Sequence, residues 1–177
     1  YMNRFLMKEK DKLIKLSSQV IDLAIKARRM IVTVESCTGG LVAKSLTDIP
    51  GSSSAFSHGI VTYSNSAKMT ILNIKKTALK EHSAVSEQIA IMMAKNALNE
   101  NLSHVSVAIT GIAGPTGASN NKPIGMVWLA WSYYKENQIV IDTQLCYFDG
   151  DRNKVRLEST MMALTGLEKR LKKLHSV

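Results

Sequence analysis

A serine, a cysteine and a threonine stand in a row before two glycines, and each of the three is a possible nucleophile. They are Ser36, Cys37 and Thr38, followed by Gly39 and Gly40, which allow a ligand to approach the backbone closely. If a strand ends here and a helix begins, free backbone N–H groups and the positive end of the helix dipole favour an anion. A plain helix cap with a tight turn fits the same residues. The local pattern alone leaves both interpretations open.

A second polar group has the sequence YSNSAK at 63–68. Tyr63 would end a strand and Lys68 would lie near the start of a helix, so both side chains can point to the same side of a sheet. A lysine that activates a serine hydroxyl needs a lowered pKa, which burial or a nearby cation provides. A surface lysine beside a half-buried tyrosine is the alternative interpretation.

A third candidate is the glycine-rich segment TGIAGPTG at 110–117, which contains Thr110, Gly111 and Gly114. Backbone amides of such a loop can bind phosphate, although the spacing matches neither the Walker nor the Rossmann pattern. An ordinary glycine-rich turn remains open. The histidines are isolated, with no cysteine or carboxylate at ligand spacing, so we predict no metal and no cofactor.

The segments that must position these residues alternate between strand and helix patterns. β-Branched and apolar runs predict strands, and apolar residues at three- and four-residue spacing predict helices. Strands are expected at 30–34, 56–63, 105–110, 124–134 and 138–148, with a hairpin turn at 135–137, and helices at 5–29, 41–49, 67–72, 75–81, 87–99 and 151–174. The order predicts an α/β fold: one three-layer α/β/α domain over residues 1–177, with a mixed, mainly five-stranded sheet.

Positive charge is concentrated in the two terminal segments. The formal net charge of +9 divides into +5 for residues 1–29, +5 for 152–177 and −1 for the middle of the chain. Aromatic residues are only 6% of the chain, so solvated helix faces are favoured over a nucleic-acid groove lined with stacking rings. We expect no specific nucleic-acid partner, whereas an anionic small molecule would benefit from the field.

The apolar runs and the cysteines set the expected compartment. No apolar run approaches the roughly 20 residues that a membrane helix needs, so no membrane association is expected. Two cysteines far apart in the sequence make no disulfide framework, which favours a reduced, cytoplasmic setting.

Seven motifs in order resemble the CinA C-terminal domain family, from about residue 10 to 174. They are ESCTGG (35–40), TDIPGSSSAF (47–56), GIVTYSNSAK (59–68), HSAVSE (82–87), ITGIAGPTG (109–117), KPIGMVW (122–128) and FDGDR (148–152). One departure is Ala118, where many relatives have a second glycine after Gly117. This departure affects only the fine shape of the loop.

The resemblance implies hydrolysis of the carboxamide of nicotinamide mononucleotide to nicotinate mononucleotide and ammonia, a metal-free step of pyridine-nucleotide (NAD) salvage. It places the family's serine, tyrosine and lysine on Ser36, Tyr63 and Lys68. The family's loop threonine falls on Thr110, and its arginine after the last strand falls on Arg152.

Amide hydrolysis needs a nucleophile, a proton shuttle and oxyanion donors. On this mapping Ser36 is the nucleophile and Lys68 its base, while Tyr63 relays the proton or keeps the pKa of Lys68 low. Backbone N–H groups over Thr38–Gly40 would stabilise the oxyanion. Neighbours in an extended segment point to opposite sides, so Ser36 and not Cys37 should face the site.

The 5′-phosphate is expected to bind Arg152 and the amides of the glycine-rich loop. Two other functions remain open: a nucleotide-binding module with weak or lost catalysis, and a DNA-associated protein, which the family name suggests through competence and DNA damage. The intact set of Ser36, Tyr63 and Lys68 favours the enzyme. A homo-oligomer is expected, with a dimer favoured.

Overall fold

A mixed five-stranded sheet forms the centre of the molecule. In the computed structural model, which describes residues 2–136 and 138–175 and side chains from residue 8 onward, the strands have these bounds: β1 Ile31–Glu35, β2 Phe56–Val61, β3 Val105–Gly111, β4 Met126–Lys135 and β5 Gln138–Tyr147. The strand order is β2-β1-β3-β4-β5. The first three strands are parallel to one another, and β4 and β5 are antiparallel to their neighbours.

Helices cover both faces of this sheet. Their bounds are α1 Met2–Lys26, α2 Leu41–Thr47, α3 Asn65–Leu72, α4 Lys76–His82, α5 Glu87–Asn96 and α6 Arg152–His175, with a 3₁₀ turn at Ser52–Ser54. Helices α1, α2 and α6 share one apolar core with the sheet, and α3, α4 and α5 share another. The predicted three-layer α/β/α fold with a mixed sheet is therefore confirmed.

Strand β3 shows why the sheet needs both layers. Val105, Val107 and Ile109 pack into the first core, whereas Ala108 packs into the second. This alternation follows from the two-residue period of a strand. A strand that is apolar on both faces is stable only where helices cover both.

The ends of several elements differ from the sequence prediction. The strand predicted from residue 124 begins at Met126, because Gly125 has φ 87° and approaches the backbone of Phe148 more closely than any side chain would allow. The first helix ends at Lys26 rather than 29, since Arg28 adopts a left-handed conformation. The antiparallel pairing of β4 with β5 matches the predicted hairpin, although Asn137 lies outside the described residues.

The topology fixes where a site can form. Strands β1, β2 and β3 are parallel, so their carboxyl ends lie along one edge of the sheet. Ligands in open α/β sheets bind in the crevice outside these ends. None of the described helices combines the length and apolar character that a membrane crossing requires.

Candidate active site

Loops that follow the three parallel strands enclose a cavity of about 300 Å³. Seven of the ten predicted site residues line it: Ser36 after β1; Tyr63 and Lys68 after β2; Thr110, Gly111 and Gly114 at the end of β3 and beyond; and Arg152 at the start of α6. Ser36 and Arg152, which are more than 100 positions apart in sequence, thus meet at one place. The volume is at the lower end of the range of about 300–1,000 Å³ that small-molecule sites occupy.

Ser36 and Lys68 are in direct contact at the base of this cavity. Lys68 Nζ donates a hydrogen bond to Ser36 Oγ at 3.1 Å and another to the carbonyl of Thr62 at 2.7 Å. The side chain of Lys68 is 1% exposed, and this burial lowers its pKa, a shift that only an ionised Cys37 would oppose. Among the described residues no carboxylate forms an ion pair with Lys68. A buried lysine without a counter-ion is easily deprotonated, as a base for serine must be.

The start of α3 explains how Lys68 reaches Ser36. Ser64 has an extended backbone, and its Oγ accepts a hydrogen bond from the N–H of Ala67 at 3.1 Å. Such an N-cap fixes the first turn of a helix. The N–H of Lys68 continues this turn by donating to the carbonyl of Ser64, which holds Lys68 over the end of β1.

Tyr63 is paired with Arg152. Its side chain is 60% exposed, and its hydroxyl accepts a hydrogen bond from Arg152 Nη2 at 2.6 Å. Arg152 Nη1 donates to the carbonyl of Gly114 at 2.8 Å, which joins the loop after β3 to the loop after β2. The hydrogen bonds described for Lys68 go to Ser36 and Thr62 instead. Tyr63 therefore lies at the mouth of the cavity, and its predicted contact with Lys68 is replaced by one with Arg152.

The N-terminus of α2 already holds an anion of the chain itself. Glu35 is fully buried; its Oε2 accepts hydrogen bonds from the N–H groups of Gly40 at 3.0 Å and Val42 at 3.1 Å, and its Oε1 accepts one from Ala43 at 2.8 Å. The N–H of Gly39 donates to the carbonyl of Ser36. The prediction that Gly39 and Gly40 supply oxyanion donors is wrong, because their N–H groups are already bonded within the protein.

The two remaining N–H groups of this turn belong to Cys37 and Thr38. Within residues 2–136 and 138–175, the N–H of Thr38 has no acceptor, whereas the N–H of Cys37 interacts with the thiol of its own residue. Thr38 is fully buried and is not among the residues that line the cavity, whereas Cys37 is. The role of the Thr38 N–H as an oxyanion donor therefore stays a prediction. The N–H of the residue after a nucleophile is a common oxyanion donor. The candidate oxyanion site thus moves from Gly39 and Gly40 to Cys37 and Thr38.

Cys37 is also among the residues that line the cavity. The expectation that Ser36 and not Cys37 directs its side chain into the site stays a prediction. Cys37 nevertheless packs into the apolar core, and burial raises the pKa of its thiol to about 11. A thiol that stays protonated at neutral pH is a poor nucleophile.

The loop after β3 is attached to the segment before α5 by two side chains. Thr110 Oγ1 donates to the carbonyl of Ala84 at 2.7 Å, which leaves only its lone pairs for a ligand. Lys122 donates to Ser83 Oγ and, at 2.7 Å, to the carbonyl of Val85. Gly111 lies so close to the backbone of Met126 that a Cβ there would contact it. These contacts hold the wall of the cavity in place.

Arg152 gives the cavity a permanent positive charge. It is among the lining residues, and the lining that the structure describes contains no carboxylate. The loop amides of Ala113, Gly114, Thr116 and Gly117 have no acceptor within the described chain. Cations and free amides together favour an anionic ligand. No cluster of three or more His, Cys, Asp or Glu side chains suited to a metal occurs in the part of the chain that the structure covers.

Sequence reasoning missed Glu35, Arg156 and Lys122. Arg156 lies one helical turn after Arg152, and its Nε and Nη2 donate to the carbonyl of Thr38 at 3.3 and 2.8 Å. A signal for Arg156 was present, since residues four apart share a helix face. For Glu35 the signal was an acidic residue at a strand end before a glycine-started helix.

Fold and site together define an α/β protein with a serine–lysine pair in a cationic cleft at the carboxyl edge of its sheet. The chain belongs to the CinA C-terminal domain family, whose model matches residues 13–171. It is 46% identical to the nicotinamide-nucleotide amidohydrolase PncC of Escherichia coli K12, over 88% of this chain and 92% of that protein.

Two further comparisons agree with this membership. The chain is 47% identical to a CinA-like protein of Geotalea uraniireducens, over 80% of this chain and 33% of that longer protein. A crystal structure of a CinA superfamily protein from Klebsiella pneumoniae superposes with a TM-score of 0.84 at 32% identity, and the match covers 91% of this chain and 98% of that one.

Proposed function

We propose that this protein is a hydrolase that converts nicotinamide mononucleotide and water to nicotinate mononucleotide and ammonia, a step of pyridine-nucleotide salvage. The observation that carries the proposal is the contact of Ser36 with Lys68, a buried lysine without a carboxylate partner in the described structure. The likeness to a nicotinamide-nucleotide amidohydrolase over most of both chains supports the substrate.

The reaction takes place in two halves. Neutral Lys68 accepts the proton of Ser36 as Oγ attacks the carboxamide carbon, and the N–H groups of Cys37 and Thr38 stabilise the oxyanion. The C–N bond then breaks, and the Lys68 ammonium returns the proton to the departing ammonia. Water, deprotonated by Lys68, hydrolyses the nicotinoyl ester, which releases the carboxylate and restores Ser36. Tyr63 lies at the mouth of the cavity, where its hydroxyl accepts a hydrogen bond from Arg152 and orients it.

Charge explains why this substrate suits the site. The pyridinium ring makes its attached carboxamide more electrophilic, and its positive charge disfavours a protonated Lys68. The 5′-phosphate is bound by Arg152 and by the amides of the loop after β3, including Gly114. Thr110 and Gly111 line the same cavity. The site must therefore present a neutral base to the pyridinium end of the substrate and a permanent cation to its phosphate end.

A coupled ammonia assay on the purified protein tests the proposal. Nicotinamide mononucleotide should release ammonia, and nicotinamide riboside and nicotinamide should release much less. Absence of ammonia from all three, with intact protein, would support the alternative of a nucleotide-binding module.

Replacing Arg152 by alanine should mainly raise KM for the nucleotide. Loss of a charged hydrogen bond costs about 1.5–3 kcal/mol, which corresponds to roughly 10–100-fold in affinity. Nicotinamide riboside has no phosphate, so its kcat/KM should change much less. Steady-state kinetics with both substrates measure the difference.

Lys154→Ala is the matched control, since Lys154 is an exposed cation two residues further along α6. This variant should leave kcat and KM nearly unchanged for both substrates. If Arg152→Ala lowers kcat/KM equally for nicotinamide mononucleotide and nicotinamide riboside, Arg152 acts through its contacts with Tyr63 and Gly114 and not by binding the phosphate.

Binding to DNA is expected to be weak and non-specific. The basic residues of α1 and α6 lie on two helices that pack against each other, and Lys8, Lys10, Lys12 and Lys15 are largely exposed there. Diffuse contacts of this kind give dissociation constants no tighter than roughly 10⁻⁶ M at physiological salt. Fluorescence anisotropy with duplexes of several sequences measures this, and sequence-selective nanomolar binding would favour the DNA-associated function.

Other properties stay predictions. They are a homo-oligomer with a dimer favoured, a cytoplasmic location, a single domain over residues 1–177 and independence from metals and cofactors. Light scattering after size-exclusion chromatography measures the first, and activity after chelation measures the last.

A further inference from the structure

The turn that carries Ser36 is held by two charged side chains that have no part in the reaction steps above. They are Glu35, which precedes the turn, and Arg156, which approaches from α6. Each makes hydrogen bonds to the backbone of the turn or of the helix after it. The turn is therefore restrained from two different elements, β1 and α6.

Glu35 joins the end of β1 to the start of α2. Its carboxylate is fully buried, and no cation pairs with it in the described part of the chain. Three N–H groups, from Gly40, Val42 and Ala43, compensate its charge, together with the positive end of the α2 dipole. Gly40 occupies the N-cap position and has no side chain to cap the helix. The carboxylate therefore ties the end of β1 to the first turn of α2. Residues 36–39 lie between these two fixed points.

Arg156 fixes the orientation of a peptide group in the middle of the turn. Its Nε and Nη2 both donate to the carbonyl of Thr38. Gly39 follows with φ 60°, and a Cβ on it would lie 3.3 Å from Arg156 Nη2. The guanidinium thus packs directly on the turn, and the carbonyl it binds belongs to the peptide group next to the N–H of Thr38.

We propose that Glu35 and Arg156 are positioning residues that hold Ser36 Oγ and the N–H groups of Cys37 and Thr38 in reactive geometry. The inference rests on the proposed function in one respect, that Ser36 is a nucleophile. Neither residue lines the cavity, so neither contacts the substrate. Displacing a reacting group by about 1 Å can cost on the order of 100-fold in rate, which sets the expected size of the effect.

The test measures the reactivity of Ser36 with a fluorophosphonate probe, independently of any nucleotide, alongside ammonia release from nicotinamide mononucleotide. Glu35→Gln keeps the size of the side chain but turns an amide NH₂ toward an N–H donor. We expect it to lower both the labelling rate and kcat by about 10–100-fold, with KM changed less than about threefold. Arg156→Gln should act in the same direction, and Arg156→Lys, which retains one donor, should be intermediate.

The pH profile separates positioning from proton transfer. Lys68 is untouched in these variants, so kcat/KM should still rise with pH, and a small displacement of this rise in Glu35→Gln is the Coulomb effect of removing a buried negative charge. Loss of the rise in Glu35→Gln would show that Glu35 takes part in proton transfer, which contradicts the proposal. If Glu35→Gln does not fold, the two Arg156 variants decide the question.

Arg170→Ala is the matched control on the same helix. Arg170 is buried, donates to Asp142 Oδ2 at 3.0 Å and stacks on Trp131, about 21 Å along α6 from Arg156. It should lower the melting temperature yet leave Ser36 labelling unchanged. If the Glu35 and Arg156 variants label at the wild-type rate, or lose rate only in proportion to their unfolded fraction, they are merely structural and the proposal fails.

Failure of the proposed substrate gives a different result. Normal labelling of Ser36 that responds to Glu35 and Arg156, without ammonia release from the nucleotide, would reject the substrate and keep the positioning role. Equal labelling of wild type and Ser36→Ala would reject the positioning role, whatever the ammonia assay shows.

Discussion

Ser36→Ala should abolish ammonia release, with a loss in kcat of about 10⁴-fold or more, the scale seen when a serine nucleophile is removed. The reason is that alanine removes the hydroxyl that accepts a hydrogen bond from Lys68 Nζ. Without this hydroxyl, the ester intermediate cannot form at residue 36. Measurement of kcat by ammonia release, after the melting temperature has shown an intact fold, tests this expectation.

Cys37→Ala is the matched control, because Cys37 adjoins Ser36 and lines the same cavity. It should keep most of the activity, since burial raises the pKa of its thiol to about 11 and leaves it protonated. Its N–H, the candidate oxyanion donor, is retained in alanine. Wild-type rates in Ser36→Ala, or a comparable loss in Cys37→Ala, would show that Ser36 is not the nucleophile.

The fold was predictable because its signals are local. The runs at Ile31–Glu35 and Val105–Gly111 are β-branched and apolar, and they form the central parallel strands. Ser64 and Ser86 each accept a hydrogen bond from an N–H three residues on, and a serine just before an apolar helical pattern is a local signal for the start of a helix. Element ends were less predictable where a backbone approach decides them, as at Gly125.

The site was predictable in its members and less so in their contacts. The motifs and family resemblance singled out Ser36, Lys68 and Arg152, and all three line one cavity. The partners of each side chain depend on tertiary packing, which no local pattern encodes. The Glu35 carboxylate occupies the N-terminus of α2, where the sequence suggested that a ligand anion could bind. Arg156 binds the carbonyl of Thr38, which is 118 residues earlier in the chain. The misassigned oxyanion donors at Gly39 and Gly40 follow from this, because an internal carboxylate was not foreseen.

Lys68→Arg should be nearly as damaging as Lys68→Ala. A lysine in water has a pKa of about 10.4, and burial lowers the pKa of Lys68 below that value. Arginine keeps the positive charge but cannot give up its proton near neutral pH. If Lys68 is the base, a positive charge at position 68 does not restore activity. Both variants should therefore lose several orders of magnitude in kcat/KM.

The pH dependence gives the same prediction an independent readout. The neutral form of Lys68 carries the reaction, and its fraction grows as pH rises through its pKa. The value of kcat/KM in the wild type should therefore rise with pH through an apparent pKa well below 10.4, and this rise should be lost in both variants. Lys80→Arg, at an exposed lysine of α4, is the control and should leave the profile unchanged. Substantial rescue by arginine at position 68 would mean that Lys68 anchors the substrate or the fold, and that the proton of Ser36 goes to another group or to water.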